Sequence, residues 1–195
     1  MRRPIVAVGL SLMLLVGCQP QSTPRPEPEP ASGPSVFDLD LPLTDATGDA
    51  HHLWEYAGRP FVATMIYTNC TSVCPRTTAD LQRLDRALPD AVRARMRFLL
   101  FSLDPERDST TALAGFARDH ALDPTHWSLL RTAPQDVRTL AAVLGVRYRP
   151  DAGGEIAHSA VFVVVDAAGV IRHRQVGTQD SIDELTAAVE AVARR

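Results

Sequence analysis

From Phe61 onward the apolar residues switch repeatedly between strand spacing and helix spacing, and this alternation narrows the folds open to the chain more than any other feature. Residues 61–67 (FVATMIY) are apolar, aromatic or β-branched behind Gly58 and Pro60, as in a buried strand. After Pro75, Leu81, Leu84 and Leu88 recur at helical spacing until Pro89 interrupts them. Residues 98–103 (FLLFSL) return to strand character, and Asp108-Ser109-Thr110-Thr111 opens a second helix through Leu113, Phe116 and Ala117. Residues 127–130 predict a third strand and 133–144 a third helix, ended by Gly145. Two more strands, 160–165 (AVFVVV) and 170–175, flank Asp166-Ala167-Ala168-Gly169, a turn suited to an antiparallel hairpin. The last helix, 180–193, shows an apolar face of Ile182, Leu185, Val189 and Val192. Strand-helix alternation closed by a hairpin and a helix predicts an α/β layered domain.

The 195-residue length fits one domain with a full core, and three cysteines are too few for a disulfide-built scaffold. Arginine supplies all 20 basic charges; without lysine there is no P-loop and no Schiff-base chemistry. A net charge of -3 offers no footprint for nucleic acid. Residues 1–17 combine Arg2 and Arg3, a 12-residue apolar run and a small residue before Cys18, the pattern of a secretory signal rather than of a retained spanning helix. Leu15-Val16-Gly17-Cys18 resembles a bacterial lipobox, which implies lipidation of Cys18 after cleavage. Residues 18–35 carry six of the 15 prolines and read as a stalk, leaving 36–195 as the folded domain. The expected location is therefore the bacterial cell envelope, outside the cytoplasm and lipid-anchored to a membrane.

Chemistry concentrates between the first strand and the first helix, in Thr68-Asn69-Cys70-Thr71-Ser72-Val73-Cys74-Pro75. Two cysteines four positions apart across a helix start can direct both sulfurs the same way, where helix-end N–H groups and the dipole are expected to lower a thiol pKa below ~8.5. A structural disulfide is one reading of the pair, but it would close a loop too short to constrain the unfolded chain much. Redox or metal chemistry is the other. Cys-x-x-x-Cys is wider than the Cys-x-x-Cys of disulfide exchangers, and two thiolates need a third ligand. His158, just before AVFVVV, is the best placed of six histidines. Two thiolates and an imidazole suit Cu(I), with Zn(II) as competitor.

TNCTSVCP, followed by FSLDPERD at 101–108 and by AHSAVFVVVDAAG with its histidine 84 positions after Cys74, resembles the SCO/SenC family of copper-binding thioredoxin-fold proteins. The resemblance spans roughly 36–193 and implies a thioredoxin-like fold: a central mixed sheet flanked by helices, with an additional helix and an N-terminal extension at 36–54. It implies Cys70, Cys74 and His158 as ligands of one copper ion, Cu(I) or Cu(II). It also implies delivery of copper to, or thiol maintenance in, the copper-bearing subunit of cytochrome c oxidase, with a copper donor and a thiol reductant in the periplasm as further partners. Many members carry aspartate before the histidine, where this chain has Ala157.

The rival from another class is a thiol:disulfide oxidoreductase using Cys70 and Cys74 as a redox pair. A peroxiredoxin-type peroxidase would need proline at 63 and threonine at 67, where the chain has Ala63 and Tyr67. Asp104 and Asp108 read as caps turning the chain into the second helix, with Arg107 pairing locally. His51 and His52 read as surface residues, Met65 as core, and His120, His126 and His173 receive no function.

Overall fold

All six side chains of Phe61–Ile66 are buried, which puts this strand in the middle of a sheet covered on both faces. The computed structural model describes residues 33–71, 73–177 and 182–194. The signal segment, Cys18 and the stalk up to residue 32 lie outside the described residues, as does Asp180 at the expected start of the last helix.

In chain order the elements are β1 (Pro42–Asp45), β2 (Ala50–His52), β3 (Phe61–Ile66), α1 (Val73–Ala87), the single turn α2 (Asp90–Arg93), β4 (Arg97–Ser102), α3 (Thr110–Asp119), β5 (Trp127–Thr132), α4 (Val137–Leu144), β6 (Tyr148–Pro150), β7 (Ile156–His158), β8 (Val161–Val165), β9 (Ile171–Val176) and α5 (Ile182–Ala193). Seven strands form one mixed sheet in the order β2-β1-β5-β4-β3-β8-β9. β3, β4 and β5 run parallel, while β8, β9 and β1 join antiparallel. α5 packs over β8 and β9 and against α1, and α4 packs on β3. No helix among the described residues is long and apolar enough to cross a membrane.

The expected order of strands and helices is observed, and so is the thioredoxin-like arrangement it implied. α1 begins at Val73, so Cys74 and Pro75 lie inside its first turn, where a proline costs no helical hydrogen bond. Leu81 and Leu84 of α1 and Leu185, Val189 and Val192 of α5 are buried, as their periodicity requires. The front extension is not an appendage: β1 pairs with β5 and lengthens the sheet. Its entry is pinned at the turn after β8, where Val36 N donates to the Gly169 carbonyl at 2.8 Å and Ser35 Oγ donates to the Ala168 carbonyl at 2.9 Å. Gly169 has φ +82°, and a Cβ there would meet Ser35 Oγ at 2.2 Å, so this approach requires glycine.

Two pairs of strands were not legible, β1 with β2 in the front extension and β6 with β7. β6 and β7 form a separate two-stranded hairpin with Tyr148 opposite His158 and Pro150 opposite Ile156. Each is three residues long and mostly exposed on β6, too short for an alternation to register. The parallel β3 and β4 end, and the antiparallel β8 begins, at one end of the sheet. The cysteine loop, the 103–109 turn and the β6–β7 hairpin therefore meet there.

Candidate metal centre

The loop after β3 is held from below by a buried carboxylate. Asp108 is fully buried and accepts from Thr68 N at 3.0 Å, Thr68 Oγ1 at 2.6 Å and Ser102 Oγ at 2.5 Å. Leu103 N reaches the Ile66 carbonyl at 2.8 Å, so the two chain segments leave the sheet side by side. The cap of α3 is Ser109, whose side chain accepts from Ala112 N. The expectation that Asp108 caps this helix is thus corrected: its carboxylate turns inward, where half-buried Thr68 and buried Ser102 offer it three donors. Asp104 does not cap the helix either: its carboxylate takes up Arg107, the local pairing expected of that arginine.

At the start of α1, Cys74 N donates to Cys70 Sγ at 3.3 Å, so a helix N–H without an intrahelical partner is satisfied by sulfur. Cys74 Sγ lies 3.3 Å from His158 Nε2, bringing together residues 84 positions apart. Cys70 Sγ, Cys74 Sγ and His158 Nε2 all lie within 4.8 Å of one another. Both cysteines are buried and not joined in a disulfide, and His158 is half-buried. His158 Nδ1 faces the Ser159 carbonyl at 3.3 Å, which favours the tautomer that leaves Nε2 bare toward the sulfurs.

Burial governs the electrostatics. It pushes the Cys74 thiol strongly up, and the hydrogen bond with Cys70 pushes the same way, against a smaller opposing contribution from the Tyr67 backbone. This reverses the depressed thiol pKa expected from the helix end, because burial of the thiol outweighs what the backbone N–H groups offer it. Burial also lowers the His158 pKa, only partly opposed by the Ser159 carbonyl, so the imidazole is neutral at pH 7. Two buried thiols and a neutral imidazole form a pocket whose charged state is unfavourable until a cation enters it. Three soft or borderline donors, with no carboxylate among them, fit copper or zinc and not a hard cation.

The SCO1/SenC family profile matches residues 30–194. The chain belongs to the SCO1/SenC family. It is 25% identical to the SCO1 protein homolog of Bacillus subtilis over 169 residues, which cover 85% of this chain and 83% of the homolog. A SCO1/SenC family lipoprotein from Bacillus anthracis has the same fold, with TM-score 0.72 and 22% identity over 80% of this chain and 95% of that one. Arabidopsis thaliana ScoI with copper bound superposes with TM-score 0.67 and 18% identity over 80% of this chain and 97% of that one.

Within this SCO1/SenC chain the three residues singled out from sequence converge, and no other set of three or more His, Cys, Asp or Glu donors is so grouped among the described residues. His51 lies far from them in the fold, on β2 at the sheet edge, bridging Asp45 Oδ2 at 3.1 Å and Glu55 Oε2 at 3.0 Å. His52 stacks on Trp54 with ring centroids 5.6 Å apart. Ala157 is exposed and places no carboxylate beside the histidine. Tyr67 escaped the sequence reading as a site residue. Its hydroxyl accepts from Ile156 N at 3.3 Å, and its ring meets the His158 ring edge-on at 5.9 Å. Burial raises its pKa, and a hydrogen bond with Cys70 adds to the rise. Its only signal was position, at the end of a buried strand three residues before Cys70.

Proposed function

We propose that this chain is a membrane-anchored copper chaperone. Cys70, Cys74 and His158 hold one copper ion, Cu(I) or Cu(II), and the protein delivers it to the binuclear copper site of cytochrome c oxidase or keeps the thiols of that site reduced. The observation that carries the reading is the convergence of two sulfurs and a bare imidazole nitrogen within 4.8 Å at one end of the sheet. Family membership and a copper-bound Sco structure of the same fold support it. The signal segment and Cys18 supply the anchor, and the 18–35 stalk the reach from the membrane. Transfer proceeds by ligand exchange, with thiolates of the acceptor subunit replacing Cys70 and Cys74 in turn. A periplasmic copper donor loads the site, and a thiol reductant keeps the pair competent in an oxidising compartment.

Copper titration of the reduced protein tests this. One copper per chain and a thiolate-to-Cu(II) absorption band are expected, with the band lost in Cys70→Ala, Cys74→Ala and His158→Ala. A His158→Ala protein that binds copper as tightly as wild type refutes the three-ligand site.

A second reading is a thiol:disulfide oxidoreductase, favoured by the two sulfurs lying within 4.8 Å of each other. Cys70, 7% exposed against 0% for Cys74, would attack a partner disulfide and Cys74 would resolve the mixed disulfide, two thiols giving up two protons and two electrons. Rapid insulin reduction by the metal-free protein would support this reading over the chaperone.

A further inference from the structure

His158 rides on a hairpin that the main sheet does not hold. β6 and β7 pair only with each other, so no ladder of backbone hydrogen bonds fixes His158 relative to the cysteines. On one side a groove of about 320 Å³, lined among others by Leu103, Pro105, Tyr148 and Ile156, separates the hairpin from the 104–107 turn, and packing there is incomplete. Besides the 3.3 Å approach of His158 Nε2 to Cys74 Sγ, two polar contacts among the described residues hold the hairpin to the rest of the protein near His158: Ile156 N donates to Tyr67 Oη at 3.3 Å, and Arg107 Nη2 donates to the Gly154 carbonyl at the hairpin tip.

We infer that Arg107 is a positioning residue for the metal centre: anchored on Asp104, its guanidinium grips the Gly154 carbonyl and sets the hairpin that carries His158 against the two cysteines. Arg107 Nε pairs with Asp104 Oδ2, a carboxylate only 11% exposed, so the fork is aimed by a rigid base. Asp104 N donates to Ser102 Oγ at 2.9 Å, and the same Ser102 hydroxyl bonds Asp108, which holds Thr68 two residues before Cys70. A single five-residue turn therefore grips both halves of the site, the thiol loop through Asp108 and the imidazole hairpin through Arg107. Gly154 has φ +82°, and a Cβ there would lie 2.9 Å from Arg107 Nη1, so the tip is shaped for the guanidinium to lie against it. Arg107 touches none of the three ligands. It acts by limiting where His158 Nε2 can go.

The inference rests on the copper-site reading, and its test separates the two. Copper affinity of the full chain is measured for Arg107→Ala in the wild-type background and in a His158→Ala background, and amide exchange is measured in the metal-free proteins. Partners that orient a metal ligand typically contribute ~10–100-fold in affinity. Arg107 is 44% exposed, so the low end applies, and about a tenfold loss is expected with His158 present. In the His158→Ala background the same substitution is expected to change affinity less than about twofold, because there is no imidazole left to position. Ile156 N–H in metal-free Arg107→Ala is expected to exchange about tenfold faster, with β3 and β4 amides unchanged. Arg107→Gln, which keeps a donor for Gly154 but loses the pairing with Asp104, is expected to recover part of both effects. An equal loss in both backgrounds, no loss in either, or unchanged exchange at Ile156 overturns the inference. If wild type binds no copper, the chaperone reading fails, and the exchange experiment still decides whether Arg107 holds the hairpin.

Discussion

Replacing Asp108 by alanine is the most direct perturbation of the frame beneath the cysteines. The carboxylate is fully buried and accepts from Thr68 N, Thr68 Oγ1 and Ser102 Oγ at 3.0, 2.6 and 2.5 Å. Each buried donor left without a partner costs about 1–3 kcal/mol, so three of them set a gross loss of about 3–9 kcal/mol. Water entering the vacated volume satisfies part of this, and removing a buried charge returns part of its desolvation cost. A net destabilisation of about 3 kcal/mol is expected, or about 6–12 °C in Tm for a domain of this size. Asp108→Asn keeps the acceptor for Thr68 and turns Ser102 Oγ from donor to acceptor, and should cost only about 1 kcal/mol. Urea unfolding of the reduced, metal-free proteins measures both. Copper affinity should fall with stability, because Thr68 anchors the loop that presents Cys70. An alanine variant within about 0.5 kcal/mol of wild type would refute the reasoning, since that is the range of ordinary surface substitutions. So would an asparagine variant as unstable as the alanine one, which would mean that charge and not the hydrogen-bond pattern holds the loop.

Copper binding should strengthen as pH rises. The raised Cys74 pKa keeps the thiol protonated at neutral pH, and the lowered His158 pKa keeps the imidazole neutral, so the metal displaces a thiol proton but none from His158. Apparent affinity is then expected to climb about tenfold per pH unit for each proton released between about pH 6.5 and 8, and a flat titration by chelator competition would contradict this. At the far edge of the sheet, burial disfavours the charged His51, but the hydrogen bonds it donates to Glu55 and Asp45 outweigh it and raise the pKa. That stabilisation is fully present below the unfolded value near ~6.5 and disappears as pH rises through the higher folded value. His51→Ala should therefore cost most at acidic pH, about 0.5–1 kcal/mol after solvent screening, and little at pH 8 by denaturant titration. Gly169→Ala should cost about 2–4 kcal/mol, combining positive-φ strain with the 2.2 Å clash on Ser35, and should expose the front extension to limited proteolysis.

The strand and helix order from residue 61 onward was legible because each element carries its own signal: an apolar run in β3 and β8, a three-four spacing in α1 and α5. The residues that come together at the site were legible too, since a cysteine pair at a strand-helix junction and a histidine before a buried strand are local patterns. The β6–β7 hairpin left no such signal, because strands of three residues with one buried side chain between them, Ile156, are too short for an alternation to register. Asp108 looked like a helix cap because Ser109 and two threonines follow it. Its actual partner, Thr68, is 40 residues earlier and becomes a neighbour only when β3 and β4 pair in parallel.

By itself, then, the amino-acid sequence determined the layered α/β class, the cysteine pair at a strand-helix junction and the histidine before a buried strand, all properties of residue type and near spacing. Tertiary structure alone decided the 3.3 Å approach of Cys74 to His158, the protonated state of a buried thiol, and the turn at 104–108 that holds thiol loop and imidazole hairpin together. Distance and desolvation depend on which distant segments the sheet brings side by side, and no local pattern encodes that.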